Sequence, residues 1–467
     1  MNKTLQTITL GCKVNQAESE ALSAWCRDHH GWRVSSPDKG ADLCIINTCA
    51  VTGRAEMQSR QAVRKAIRNN PDAVIVATGC CAQKDPDAFA GIKGVDYVIG
   101  HADKHRIFRI IDSPGKNVFF LPTKKNGRDP VVLNRAVSDY RCFDSMPAPA
   151  AGGRTRPFLK IQDGCDDFCT YCIVPYTRGR SRSQDPQRLI AEFIQLVSTG
   201  APEIVLSGVH IGKYGQDLDS RTNLAGLLGL IDSVEGDYRI RLSSIEPTEI
   251  TDELLDFIAA SEKICPHFHI PLQSGDKQIL KKMHRPYTPE DFAELTEKIH
   301  SMFPDAAIGA DVLIGFPGED NKAFNQSRKL IEQLPVTYLH VFPFSPRQGT
   351  AAARFSGRVA DSEIKKRCRI MRELGKKKKT RFFSSMIGKI LDVVIEKKDP
   401  CNKTRAKGLS ANYIPVIVEN PEALEGIRTA CRVTGASSDM AVVGRAESRG
   451  EVKCSTDLGL PSCKNLK

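Results

Sequence analysis

The chain has 467 residues, 41% of them hydrophobic and 26% charged, an ordinary composition for a folded protein of about three domains. Lys and Arg total 67 against 55 Asp and Glu, and this net charge of +12 suits a polyanionic partner. No run of about 18 apolar residues occurs, which excludes a transmembrane helix, so no membrane partner is expected.

Residues 1–10 lack the apolar core of a signal peptide, so a cytoplasmic location is expected. In a reducing compartment, sixteen cysteines point to metal ligation or catalysis rather than to disulfides.

In chain order, residues 7–10, 43–47, 73–77 and 97–99 read as strands, and 18–29 and 54–69 as helices. This alternation predicts an α/β domain around a parallel sheet over residues 1–120. Residues 121–156 hold several Pro, Gly and charges and read as a linker. A second series follows, with strands at 158–161, 203–207, 239–244, 267–271, 307–314 and 339–342. Helices between them fall at 186–198, 252–260, 289–302 and 323–333. Six β/α units over 150–382 predict a partial (β/α)6 barrel. Residues 364–381 carry ten basic residues and one acid, Glu373. Strand-like pieces at 390–395, 411–418, 429–434 and 440–446 predict a small antiparallel β-barrel over 383–449.

The strongest chemical signal is Gly164-Cys165-Asp166-Asp167-Phe168-Cys169-Thr170-Tyr171-Cys172, directly after the strand at 158–161. Three thiolates at C-x3-C-x2-C spacing suit one iron–sulfur cluster. Three ligands on four irons leave one iron open to chelate the amine and carboxylate of a methionine moiety, whose sulfonium bond an electron can cleave. A zinc site with a distant fourth ligand, or three packing thiols, is the other reading. Zinc motifs, however, usually show paired C-x2-C units or a His partner, and neither occurs here. Cys12, Cys49 and Cys80 each stand just after one of the first three strands. In a parallel sheet those loops emerge at the carboxyl edge, where ligands bind. The three are therefore either ligands of a second cluster or thiols packed near strand ends, and Cys81 competes with Cys80. Cys26, Cys44 and Cys265 read as core residues. Cys142, Cys368, Cys401, Cys431, Cys454 and Cys463 show no ligand spacing.

The C-x3-C-x2-C loop resembles that of the radical S-adenosylmethionine superfamily. Together with G-C-x-x-N, N-T-C-x-V and G-C-x-A-Q at Cys12, Cys49 and Cys80, and C-x-x-P-x-x-R-G-x-x-R-S from Cys172 to Ser183, the chain resembles the methylthiotransferases. The resemblance covers essentially the whole chain. It implies two 4Fe-4S clusters, S-adenosylmethionine, tRNA as substrate, an electron donor such as a flavodoxin or ferredoxin, and a C-terminal RNA-binding barrel of the TRAM type. The loop 160–165 and the segment 207–215 are most similar to the branch that converts N6-threonylcarbamoyladenosine to its 2-methylthio derivative at position 37, next to the anticodon. A branch acting on isopentenyladenosine, one acting on a ribosomal protein, and a non-catalytic zinc or RNA-binding protein are the alternatives.

Loops after barrel strands line barrel active sites. Ser207, Gly208 and His210, then Ser244 and Glu246, then Gln273 are therefore candidates for binding the cofactor. Ser274, Gly275 and the run Gly315-Phe316-Pro317-Gly318 share that position, and ordinary turn chemistry is the competing reading for each. His267 and His269 alternate on one strand face and read as satisfied lining residues. Arg285 is a candidate partner for a carboxylate or phosphate. Arg178, Arg180, Arg182 and the basic run 364–381 are expected to meet tRNA phosphates.

Overall fold

The structure is a computed structural model describing residues 3–35, 40–112, 129–143, 154–220, 222–399, 402, 404–419, 426–436 and 442–446. Parts of the expected linker (121–128 and 144–153), residues 440–441 of the last expected strand, Cys401, Cys454, Cys463 and the expected barrel end at 449 lie outside that set. The chain forms two compact units, one of residues 1–382 with 411–413 and one of 383–410 with the chain from Ile414.

The first unit begins with a parallel sheet of β1 (Thr4–Thr9), β2 (Arg33–Val34), β3 (Leu43–Thr48), β4 (Val74–Gly79), β5 (Tyr97–Ile99) and β6 (Val131–Leu133). Their spatial order is β2-β1-β3-β4-β5-β6. Strand β6 falls in the expected linker, and three residues are too short to show a period. Its backbone nevertheless completes β5, pairing Tyr97 with Val131. Helix α1 (Lys13–His30) follows β1, and α2 (Gly53–Asn69) is capped by the Thr52 side chain, which accepts from the Ala55 amide. Helix α3 (Cys80–Lys84) follows β4. Apolar clusters cover both faces of the sheet: Cys44, Ile46, Ile75 and Ala77 on one, Leu5, Leu43, Ile45 and Val76 on the other. That two-sided burial is why the strands read as continuous apolar runs.

The same unit continues with β7 (Phe158–Lys160), the short antiparallel pair β8 (Gln162–Asp163) and β9 (Arg182–Ser183), then β10 (Glu203–Ser207), β11 (Arg239–Leu242), β12 (His267–Gln273), β13 (Ala307–Ile314) and β14 (Tyr338–Pro343). Strands β7, β10 and β11 form one parallel half and β12, β13 and β14 the other. A bridge from Ile240 to Ile264 joins them, giving six strands in sequence order, as a partial barrel requires. Ile204, Leu206, Ile240, Leu242, Ile308 and Ala310 pack outward against the helices. Each fully buried Leu or Ile contributes roughly 1.5–3 kcal/mol. The alternate positions face the lumen, where branched apolar residues would be usual. Here they are Glu203, Arg239, Arg241, His267, His269 and Asp311. Helix α1 lies along the lumen side, with Ala17 packed on Phe158 and Val205.

The second unit is a closed barrel of β15 (Ile390–Lys398), β16 (Arg405–Ser410), β17 (Pro415–Glu419), β18 (Arg428–Ala436) and β19 (Val442–Ala446), in the order β15-β16-β17-β19-β18. Four pairings are antiparallel, and β17 with β19 is parallel. Strand β16 escapes sequence reading because its inward residues Ala406 and Gly408 are small. A Cβ at Gly408 would meet Val393 Cγ1 at 2.6 Å. Among the described residues, no helix is long and apolar enough to cross a membrane.

Candidate active site

Three cysteines gather at the carboxyl edge of the first sheet. Cys12 caps α1, Cys49 follows β3, and Cys80 opens α3. Gly11 has φ 92°, and a Cβ there would lie 2.6 Å from Cys49 Sγ, so glycine lets the two loops touch. Burial pushes the Cys49 thiol up to about 12, and the neighbouring Cys80 and Cys12 add to the rise. Cys80 is also raised by burial, against the pull of Arg178. Its Sγ is 3.3 Å from His101 Nε2. The charges acting on Cys81 are instead Glu56, Arg60, Lys84 and Asp85, so Cys80 is the thiol that shares surroundings with Cys12 and Cys49.

The second triad sits on the loop after β7. The Cys165 amide donates to Gly179 O at 3.0 Å, and the Cys172 amide to Cys169 O at 2.9 Å, which folds the loop around the three sulfurs. Burial pushes Cys165 and Cys172 up to about 12. Gly164 starts this loop at φ 74°, and a Cβ there would stand 1.9 Å from Arg180 O. Gly164→Ala is therefore expected to add backbone strain of roughly 1–3 kcal/mol besides the clash. A lowered thermal midpoint with iron loss at this triad alone would show it; wild-type stability would refute the strain. Cys80 acts electrostatically on Cys172, so the two triads lie near each other within one compact unit.

The donor chemistry of both triads suits an iron–sulfur cluster. All described cysteines are free thiols. Cys49, Cys80, Cys165 and Cys172, whose burial disfavours the charged form, need a cationic centre to hold them as thiolates.

An ion-pair network that sequence reading missed joins the triads. Arg178, on the short helix Val174–Arg178, donates to Asp163 Oδ1 at 2.7 Å, Glu18 Oε1 at 3.1 Å and Asn15 Oδ1 at 2.6 Å. Glu18 also accepts from Lys104 Nζ at 2.5 Å. Asn15 and Glu18 share a face of α1 at i,i+3 spacing, the one local signal of this role. Arg178 is thus not a phosphate contact: its side chain is 1% exposed, and that of Arg182 is 4% exposed. Both charges turn inward to compensate Asp163, and only Arg180, 57% exposed, is open to a polyanion. The basic run lies in the helix Asp361–Ser385. There Lys376 and Lys377 are exposed, while Arg367 is buried against Glu319, and Lys378 donates to Leu334 O.

The candidate cofactor residues divide. His210 Nδ1 is 3.4 Å from Cys165 Sγ, and its amide donates to Gln162 Oε1 at 2.8 Å. Glu246 pairs with Arg285, whose Nη1 donates to Cys169 Sγ at 3.2 Å, so both border the second triad. Ser207 is buried on the lumen face with no hydroxyl partner among the described residues, and Ser243 shares that state, which leaves donors for a polar ligand. A Cβ at Gly208 would meet Ile211 Cγ2 at 2.7 Å, a packing role. Ser244 is exposed, and no contact brings it to the triad. Gln273 adopts φ 61° at the end of β12, a turn conformation. Ser274 and the Gly275 amide engage Ser327, also turn chemistry. His269 is a satisfied lining residue, with Nδ1 3.0 Å from Tyr338 Oη and Nε2 2.8 Å from Asp311 Oδ1, whereas His267 meets Tyr338 Oη with Nε2 at 2.8 Å and its buried Nδ1 has no partner among the described residues.

Residues 4–100 match the Uncharacterized protein family UPF0004, and residues 159–331 match the Radical SAM superfamily. A threonylcarbamoyladenosine tRNA methylthiotransferase MtaB of Bacillus subtilis (strain 168) is 38% identical over 421 residues, covering 90% of this chain and 91% of the relative. Its counterpart in Aquifex aeolicus (strain VF5) is 36% identical over 410 residues, covering 87% and 95%. A tRNA-2-methylthio-N(6)-dimethylallyladenosine synthase of Carboxydothermus hydrogenoformans is 32% identical over 438 residues, covering 92% and 97%. The solved radical S-adenosylmethionine methyltransferase TsrM of Kitasatospora setae shares the fold at a TM-score of 0.52 and 14% identity, covering 73% of this chain and 75% of that one. The radical superfamily carries a 4Fe-4S cluster and S-adenosylmethionine as its cofactors. With both domain matches and this identity over nine-tenths of its length, the chain belongs to the radical S-adenosylmethionine methylthiotransferases.

Proposed function

We propose that the chain modifies tRNA, converting N6-threonylcarbamoyladenosine at position 37, beside the anticodon, to its 2-methylthio derivative. The observation that carries this reading is the presence of two thiol triads in one compact unit, near enough that Cys80 acts electrostatically on Cys172, in a chain 38% identical to a threonylcarbamoyladenosine tRNA methylthiotransferase. Cys165, Cys169 and Cys172 would hold the radical cluster, and Cys12, Cys49 and Cys80 a second 4Fe-4S cluster that serves sulfur delivery. When bound, the first group supplies the electron that cleaves S-adenosylmethionine to a 5′-deoxyadenosyl radical. Adenine C2–H is inert to acid–base chemistry at neutral pH, which is why a radical route is needed.

The protein's own residues then position and shield. Glu246 and Arg285 hold the wall beside Cys169, and His210 that beside Cys165. Ser207 and Ser243 offer hydroxyls to S-adenosylmethionine from the lumen. Arg180, Lys376 and Lys377 present charge to tRNA phosphates. Residues 1–120 form the sulfur-carrying domain, with β6 as an extension, 150–382 the radical core, and 383–449 a TRAM-type RNA-binding barrel. The location is cytoplasmic, where tRNA and a flavodoxin or ferredoxin donor are at hand.

Nucleoside mass spectrometry of tRNA from cells lacking this protein tests the reading. Loss of the methylthio group from threonylcarbamoyladenosine alone is the expected result. Loss from the dimethylallyl nucleoside instead would assign the chain to the branch of its 32% identical relative.

A further inference from the structure

Strand β14 is the last of the barrel, and its lumen face stands open. His340 is the register partner of Asp311, and its side chain is 49% exposed. Phe342, two residues on and so on the same face, is 43% exposed. The two rings stand side by side, with centroids 6.3 Å apart. On β12, by contrast, His267 and His269 are buried.

One carboxylate oxygen organises this wall. Asp311 Oδ1 lies 2.8 Å from His269 Nε2 and 3.2 Å from His340 Nδ1. Burial alone would raise the Asp311 carboxyl, but hydrogen bonds from both imidazoles outweigh it and hold it low, so each ring presents an N–H to the carboxylate. That bond sets the His340 ring: Nδ1 is taken, and Nε2, on the far edge, is left for a ligand. Among the described residues nothing bonds Nε2. Behind the pair, Tyr338 Oη holds His269 Nδ1 at 3.0 Å and His267 Nε2 at 2.8 Å. A Cβ at Gly309 would overlap the Tyr338 ring, so glycine lets that ring lie across β13. The array is therefore rigid at its back and open at His340.

Hydrogen bonds tie the wall to the radical triad. Arg285 donates from Nη1 to Cys169 Sγ and from Nε to Tyr287 Oη at 3.0 Å, and Tyr287 donates to Pro271 O at 2.8 Å. Pro271 is the register partner of Asp311. In a purine, C2 and C6 flank N1 on one edge, so with C2 at the triad a group on N6 extends along this wall. The Phe342 face can stack on a base. Beyond N6, a threonylcarbamoyl arm brings an N–H, a hydroxyl and a carboxylate to meet an imidazole. A dimethylallyl arm brings no polar atom and would leave the imidazole unpaired.

We propose that His340, steered by Asp311, hydrogen-bonds the polar N6 arm of the substrate adenosine through Nε2 and so selects a threonylcarbamoyl arm over an alkyl one. This rests on the substrate reading given above. Asp311 is a positioning residue, acting through His340.

The test uses the cluster-loaded enzyme and three anticodon stem-loop RNAs, carrying N6-threonylcarbamoyladenosine, dimethylallyladenosine or plain adenosine. Affinity is measured without reductant, and methylthio incorporation with it. The wild type is expected to bind the threonylcarbamoyl RNA more tightly than the plain one. His340→Phe keeps a ring and should cut that preference roughly 3- to 30-fold, the worth of one hydrogen bond. His340→Gln, which keeps a polar group near the place of Nε2, should retain part of it. Asp311→Asn should lower the same preference, and joined to His340→Phe it should add nothing. The ratio of the two RNAs is taken within each protein, so a folding or cluster defect that weakens both cancels. An undiminished ratio in His340→Phe, or indifference of the wild type to the arm, overturns the inference and leaves the substrate reading standing. A further loss in the double variant overturns the role given to Asp311. A wild type that modifies only the dimethylallyl RNA overturns the substrate reading itself.

Discussion

Alanine at Cys172 is expected to bring methylthio incorporation to background and to lower bound iron from about eight atoms per chain to about four. Alanine at Cys80 should remove iron to the same extent, with a different product pattern: 5′-deoxyadenosine still forms while the methylthio nucleoside does not. The asymmetry follows from placement. Cys172 lies on the loop after the first barrel strand, folded by its own backbone bonds to Cys169, whereas Cys80 opens a helix of the other domain. Iron analysis, 5′-deoxyadenosine chromatography and tRNA nucleoside mass spectrometry on the same preparations read all three quantities. Eight irons retained in Cys80→Ala would remove that residue from the donor set. Undiminished 5′-deoxyadenosine from Cys172→Ala would do the same for the radical triad.

The largest stability effect is expected at Arg178. Leucine there leaves Glu18 and Asp163 buried with their main counter-charge gone, a change that costs roughly 3–5 kcal/mol. Burial alone would raise both carboxyls, and Arg178 outweighs it, holding them well below their ordinary values of 4.5 and 3.8. Their folded-state values are depressed, so the stability they contribute is complete above those ordinary values and is lost as pH falls below them. Arg178→Leu should therefore lower the thermal midpoint at pH 7 and flatten the acid limb of the stability curve between about pH 5 and 3. Arg178→Lys keeps the charge but loses the fork that reaches Asp163, Glu18 and Asn15 together, and should fall between. A midpoint within a degree or so of wild type in Arg178→Leu would show that the network carries no such load.

Much of the architecture is legible from local pattern. The helices Pro186–Ser198, Asp252–Ala260 and Pro289–Met302 match their expected ends, because each opens on a proline or acid after a capping Asp or Thr. The strands β10 and β13 also match, because their apolar stretches Ile204–Leu206 and Ala307–Ile314 are interrupted only by the lumen-facing Asp311. What stays hidden are elements whose signal is short or small: β6, with three residues, and β16, whose interior is Ala and Gly. Arg178 shows the other kind of miss. An R-x-R-x-R string reads as a phosphate-binding surface, and only the fold reveals that two of the three face inward.

The sequence by itself determined the donor chemistry and its address: three thiols on one loop, and three more at the ends of successive parallel strands. Those are local facts, since spacing along the chain and the carboxyl edge of a sheet follow from residue order alone. Tertiary structure decided which charges are buried and whom they answer. Glu18 and Arg178 lie 160 residues apart, and they meet only because α1 packs against the barrel strands β7 and β10. Electrostatic pairing depends on distance through space and on exclusion of water, and neither is written in the order of residues.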